Sequence, residues 1–171
     1  LLPDLEPRLN AALVIVLHRQ SYYDSVLTEL LSVKTQLSVK EAEEKETLLP
    51  GTIYIAPADY HLLVERDHTL SLDYSEKVNY SRPSIDVTFT SAGLAYGREL
   101  AAILLSGANA DGAEGLLDVH EAGGTTLVQD PDTAEVDYMP RQAMLTAPVD
   151  HILQATAMAS FINGFAGMVT R

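Results

Sequence analysis

A chain of 171 residues, 47% of them hydrophobic, has the size of one domain and can bury a real core. It contains no cysteine, so disulfides, thiolate metal sites and cysteine nucleophiles are excluded. A net charge of -13 argues against nucleic acid and anionic membranes as partners. No apolar run approaches the ~20 residues that cross a bilayer, and no signal-peptide layout is visible, which fits a cytoplasmic protein. The acid is concentrated at Glu41 to Glu46 (EAEEKE), read as a solvated face.

The chain opens on Leu rather than Met, and LLPDLEPRL looks like the middle of a helix, so the N-terminus reads as truncated. Leu13 to Leu17 is a continuous apolar run, as a parallel strand covered on both faces should be, and it ends on His18. Asp24 to Val33 places Val26, Leu27, Leu30 and Leu31 at helical spacing. Pro50-Gly51 marks a turn before a short strand, Ile53 to Ala56. His61 to Glu65 and Thr69 to Tyr74 flank Arg66-Asp67-His68 as a hairpin. Arg82 to Gly97 is predicted helical, with Pro83 in the first turn and Ile85, Phe89 and Leu94 along one side.

Leu100 to Leu105 is the next buried strand. After it come a glycine-punctuated turn, a helix over Asp111 to Ala122 and a central strand, Thr125 to Gln129. Pro140 to Leu145 is a short helix, and Met158, Ile162 and Phe165 give the tail helical spacing. Strands alternating with helices predict an α/β fold: one domain over 1–171, three-layered and doubly wound. Its sheet is mainly parallel and Rossmann-like, with an antiparallel β-hairpin insert.

Open sheets of this kind carry their chemistry at the carboxyl ends of the strands. His18 and Asp111 both fall there. Alone, each has an ordinary structural reading: a histidine after a strand, and an aspartate as the N-cap of the helix that follows it. Together they are two thirds of a hydrolytic triad, in which the carboxylate orients the imidazole and the imidazole deprotonates a hydroxyl. Ser106 sits on the same short segment as Asp111 and reads as structural. His61, His68 and His120 read as hairpin or helix-surface residues, and His151 lies near a late strand. No metal-ligand spacing appears, and GANADGAEG matches neither phosphate-binding loop pattern.

Six ordered segments then carry a resemblance: LHRQ (Leu17–Gln20), LLPGTIYIAPADYHL (Leu48–Leu62), SRPSIDV (Ser81–Val87), LLSGANADGAEGL (Leu104–Leu116), AGGTTLVQDP (Ala122–Pro131) and MPRQA (Met139–Ala143). Over Leu1 to Leu153 the chain resembles the catalytic domain of the CheB-type protein-glutamate methylesterases. The resemblance implies a cofactor-free Ser-His-Asp hydrolase of γ-glutamyl methyl esters on the cytoplasmic helices of chemoreceptors, with some members also deamidating glutamine. It implies His18 as general base and Asp111 as orienting acid. It also implies an oxyanion segment at Gly107, Ala108 and Asn109, and a cleft bordered by Arg82, Met139 and Pro140. In that family the serine lies on a glycine-rich turn after a first strand, which would precede Leu1, so the sequence as it stands is expected to be inactive. A receiver domain is not visible; such a domain, or a methyltransferase or kinase module, is a further expected partner in the phosphorelay. Docking is expected to use a patch near Arg82 and Arg141. The alternatives are an inactive signalling or scaffold module with the esterase fold, or a different α/β hydrolase or binding domain in which His18 and Asp111 stay apart.

Overall fold

The computed structural model of the chain describes residues 1–18 and 24–168; Arg19 and Gln20 of the LHRQ segment lie outside them. Three short strands, β1 (Leu13–Ile15), β2 (Ser38–Glu41) and β3 (Thr52–Ile55), form a parallel sheet in the order β1-β3-β2. Leu13 pairs with Ile53 and Ile15 with Ile55. A hairpin follows, β4 (His61–Val64) antiparallel to β5 (Leu70–Asp73). Strands β6 (Ala101–Leu104), β7 (Thr125–Gln129) and β8 (His151–Leu153) make a second parallel sheet in sequence order. The helices are α1 (Asp24–Ser32), α2 (Ile85–Tyr96), α3 (Ala113–Glu121), α4 (Tyr138–Thr146) and α5 (Ala155–Met168).

This is the expected α/β architecture with its antiparallel hairpin, but the parallel strands fall into two three-stranded sheets. Among the described residues β1 pairs only with β3, and β6 only with β7. Each therefore has one open edge, and both lead to the candidate residues. The cores follow the sheets. Leu104, Leu116, Val119 and Val128 pack with Met139 and Ala143 between the second sheet, α3 and α4. Tyr54, Leu62, Val64 and Leu70 join Ala92 of α2 over the first sheet and the hairpin.

Three local readings change. The first residues form a single 3-10 turn, Leu2–Asp4, not a helix. Pro7 cannot donate an intrahelical bond and its ring opposes a preceding carbonyl; Leu5 and Leu9 are instead buried against Ala159 and Ala166 of α5. Strand β2 was not predicted, because SVKE offers a lone apolar residue, Val39, to a half-buried edge. The acidic run accordingly starts inside that strand; Glu43 and Glu44 are exposed, while Glu46 accepts from Lys40 Nζ at 2.6 Å. Helix α2 begins at Ile85 with Ser84 as N-cap, leaving Pro83 outside the helix. Its buried face is small and polar (Asp86, Thr88, Ala92, Gly93), whereas Leu94 is exposed.

That small face allows α2 and α3 to approach closely. A Cβ on Gly115 would lie 2.8 Å from both the Cα and the carbonyl oxygen of Asp86, so only glycine fits between the two backbones. The approach brings the N-termini of the two helices together beside the carboxyl end of β6.

Candidate active site

His18 follows β1 and Asp111 follows β6, so the two sheets meet at their carboxyl ends through these side chains. His18 Nε2 lies 2.6 Å from Asp111 Oδ2; the Asp111 side chain is wholly buried and that of His18 is 27% exposed. An ionised carboxylate only accepts, so Nε2 carries the proton and donates. Nδ1 is left with its lone pair, with Asn109 Nδ2 3.5 Å away.

Asp111 does not cap the helix that follows it, as the sequence suggested, but another one. Gly112, at φ +100°, is the N-cap of α3 and provides no side-chain bond. A Cβ there would fall 2.5 Å from Leu104 Cδ1, so this position requires glycine on conformational and steric grounds. The turn directs Asp111 away from its own helix to the start of α2. Its Oδ2 accepts from Ile85 N at 2.7 Å, and its Oδ1 from Ser84 Oγ at 2.7 Å and Asp86 N at 3.1 Å. Asp86 reciprocates: its Oδ1 accepts from Gly112 N at 2.9 Å and Gly115 N at 2.7 Å, at the start of α3. Its Oδ2 accepts from Asn79 Nδ2 at 2.7 Å. Each helix thus receives at its N-terminus, where amides are unsatisfied and the dipole is positive, a carboxylate belonging to the other.

The two acids titrate in opposite directions. Burial pushes Asp111 up, but the bonds from His18, Ser84 and the Ile85 and Asp86 amides outweigh it, and the carboxyl lies below its ordinary value. Burial also pushes Asp86 up; the Gly115 and Gly112 amides oppose it, the Asp111 charge adds to it, and the group ends above its ordinary value. Asp111 is therefore held as the anion that His18 needs.

His61, read from sequence as a hairpin residue, opens β4 and is 1% exposed. Its Nδ1 accepts from Ser84 N at 3.1 Å and its Nε2 donates to the Glu76 carbonyl at 2.9 Å. It holds Ser84, which in turn holds Asp111. Nothing in the local sequence signals this role for His61 or for Ser84, which the predicted helix over Arg82 to Gly97 placed inside its first turn.

The remaining candidates separate by position. The Gly107 amide is occupied, donating to the Val136 carbonyl at 3.1 Å, while the Gly107 carbonyl accepts from Met139 N at 3.0 Å. It is thus not available as an oxyanion donor, although the amides of Ala108 and Asn109 have no partner among the described residues. Met139 and Pro140 are buried, Met139 against Gly107, where they support the loop. Arg82 is half-buried: Nη1 donates to the Ser75 carbonyl at 2.7 Å, and the guanidinium lies 3.9 Å above the Tyr74 ring. Arg141 is exposed and committed to Asp137 at 2.6 Å and Asp132 at 3.4 Å, which removes it from a free basic patch. Ser106 Oγ bonds both the carbonyl and the amide of Val136, a structural role. Among the described residues no group of three side chains is arranged to hold a metal ion, and no helix is long and apolar enough to cross a membrane.

An oriented Asp-His pair with one open imidazole nitrogen can serve as the base half of a nucleophilic hydrolase. The sequence profile of the CheB methylesterase family matches residues 1–162. The chain is 39% identical over 161 residues to the protein-glutamate methylesterase/protein-glutamine glutaminase of Chromohalobacter salexigens, covering 92% of this chain and 46% of that protein. A relative from Leptospira interrogans, under the provisional form of the same name, is 43% identical over 159 residues, 93% of this chain and 82% of its own length. The crystal structure of the Thermotoga maritima CheB methylesterase catalytic domain superposes with a TM-score of 0.90 at 32% identity, covering 95% of this chain and 88% of that one. Motif order, fold and the matched length together make this chain a member of the CheB methylesterase family.

Proposed function

We propose that the protein is a protein-glutamate methylesterase, with glutamine deamidation as a second activity, acting by acyl transfer on cytoplasmic chemoreceptor helices. The observation that carries the reading is the 2.6 Å contact between His18 Nε2 and Asp111, which leaves Nδ1 as the open base.

The nucleophile is a serine hydroxyl that reaches Nδ1. The open edges of β1 and β6 belong to parallel strands whose carboxyl ends meet at the His18–Asp111 pair. A further parallel strand between them would deliver a residue at its carboxyl end to that point. His18 takes the serine proton as oxygen attacks the ester carbonyl, and Asp111 stabilises the imidazolium. The Ala108 or Asn109 amide donates to the oxyanion. His18 then protonates departing methanol, and water hydrolyses the acyl-enzyme by the same route. For glutamine the leaving group is ammonia. The reaction belongs in the cytoplasm, with a receiver domain or a methyltransferase or kinase module as the signalling partner.

The test is methanol release from a methylated chemoreceptor cytoplasmic fragment by the full-length protein. Activity lost in His18→Gln, with the melting temperature kept, supports the reading. A folded parent protein that releases no methanol, or a His18→Gln variant as active as the parent, overturns it.

A further inference from the structure

The segment between Ser75 and Arg82 is tied to the candidate site at two points. Asn79 Nδ2 donates to Asp86 at 2.7 Å, and Ser81 Oγ accepts at 3.3 Å from Asn109 Nδ2, the same amide that faces His18 Nδ1. Between these anchors Val78 and Ser81 exchange both backbone bonds, at 3.1 and 2.9 Å, closing a two-residue turn. Its central residues are Asn79 at φ +49° and Tyr80 at φ +62°. Turns with positive φ at both positions favour Asn followed by Gly. Asn79 fits this pattern and Tyr80 does not. A bulky side chain in the left-handed region is strained, and such strain persists where something offsets it. Packing within the chain does not offset it, since Tyr80 is 97% exposed.

The surroundings are rich in exposed tyrosine and carry charges of both signs. Tyr74 is 64% exposed and carries the Arg82 guanidinium over its ring. The Tyr60 ring lies 5.4 Å from that of Tyr74. Lys77 is exposed and has no carboxylate partner among the described residues. Three tyrosines and two cations, with the exposed carboxylates of Asp59, Asp73 and Glu76 among them, thus line a segment that Ser81 and Asn79 tie to the candidate site. Tyrosine offers a large amphipathic contact at low conformational cost, the usual anchor of a protein interface.

We propose that this strip, with Tyr80 at its tip, is the surface on which the protein substrate docks, and that its occupant is an amphipathic helix of the methylated protein. Apolar residues flanking the target side chain cover Tyr80 and Tyr74, and charged residues of both signs on the helix pair with Lys77, Arg82 and Glu76. The inference rests on the esterase reading and adds the element that recognises protein rather than ester.

The experiment compares two substrates of the full-length protein: a methylated chemoreceptor cytoplasmic fragment and free N-acetylglutamate γ-methyl ester. Tyr80→Gly puts the residue this turn favours at its tip, so folding is retained, as a melting curve will report. The variant should lose about tenfold more kcat/KM on the protein fragment than on the small ester, through KM, as loss of an aromatic anchor implies. Tyr80→Phe, which keeps the ring, should recover the protein-fragment KM to within about twofold of the parent. An unchanged KM for the fragment in Tyr80→Gly, or equal losses on both substrates, overturns the proposal. A parent protein inactive on the small ester overturns the esterase reading, and this inference with it; normal small-ester activity isolates the failure to the docking surface.

Discussion

Replacing Asp111 by asparagine tests the centre of the arrangement. The carboxylate accepts four bonds, two at each oxygen: His18 Nε2 and Ile85 N on Oδ2, Ser84 Oγ and Asp86 N on Oδ1. Asparagine has one accepting oxygen. If that oxygen stays with Ser84 and Asp86, an NH2 group replaces Oδ2 and faces the Ile85 N–H, which stood 2.7 Å from the oxygen it replaces. Two bonds to a charged acceptor are lost, each contributing about 1.5–3 kcal/mol, and a buried N–H is left unpaired. The expected destabilisation is roughly 3–5 kcal/mol, a large share of a domain's total stability. The new NH2 also obliges His18 Nε2 to accept, which moves the ring proton to Nδ1 and closes the base site. A wrong tautomer of this kind lowers turnover by a factor on the order of 10⁴. Urea denaturation of the full-length protein measures the first effect through the midpoint at constant slope. Nitrogen NMR of the His18 ring measures the second without any substrate. A variant within about 0.5 kcal/mol of the parent, the scatter of an ordinary surface substitution, with the proton still on Nε2, would refute the assignment of Asp111 as the hub.

Gly115→Ala drives a methyl into the Asp86 backbone at 2.8 Å and should cost about 2–3 kcal/mol by thermal or urea melting. Gly164→Ala on α5, where a Cβ meets nothing within 4 Å, should instead raise stability by roughly 0.5–1 kcal/mol; a loss there would show that α5 is packed differently. Ser84→Ala removes the α2 cap and one Asp111 bond, and should lower stability by about 1–2 kcal/mol while reducing kcat. The pH dependence separates the two acids. Asp111, with a lowered pKa, stabilises the fold above the ordinary carboxylate range and loses that contribution as pH falls through its folded value. Asp86, with a raised pKa, costs stability when ionised and recovers it on acidification. Asp86→Asn should therefore lose stability more steeply than the parent as pH falls from neutral through the range where Asp86 protonates, as urea midpoints against pH would show.

The long periodic elements were legible because their signals are local. The hairpin about Arg66–His68 and the strand Thr125–Gln129 appear where the residue pattern puts them, whereas the apolar run Leu13 to Leu17, expected to be covered on both faces, is a half-buried strand over Leu13–Ile15 with Leu17 exposed. The His18–Asp111 pairing was legible through sheet topology, since both residues end parallel strands. What the sequence concealed depends on contacts between distant segments. Strand β2 is defined by pairing with β3 and not by its own apolar content. His61 lies 23 positions before Ser84, and neither residue announces the other. The Asp111 carboxylate was legible as a helix cap, but the helix it caps starts 26 residues earlier, because Gly112 turns it away from its own. The apparent availability of Gly107 failed for the same reason: its amide is taken by Val136, 29 positions on.

The mutual exchange of carboxylates explains how so acidic a chain keeps an anion buried beside its candidate base. Two adjacent buried carboxylates with no lysine or arginine between them among the described residues would ordinarily be costly, and one would protonate. Here each rests on the positive end of the other's helix, so their amides supply the compensation that a cation would otherwise give. The compensation depends on distance, and the distance is set by the absence of a side chain at Gly115 and by the small face of Ala92 and Gly93 on α2. The asymmetry between the acids then assigns their roles. Asp111 has His18 and Ser84 in addition to its amides and remains the anion; Asp86, with two amides and Asn79, carries the raised pKa. Helix packing thus determines which carboxylate keeps its charge to the lower pH, and Asp111 in turn determines which nitrogen of His18 is left open to take a proton.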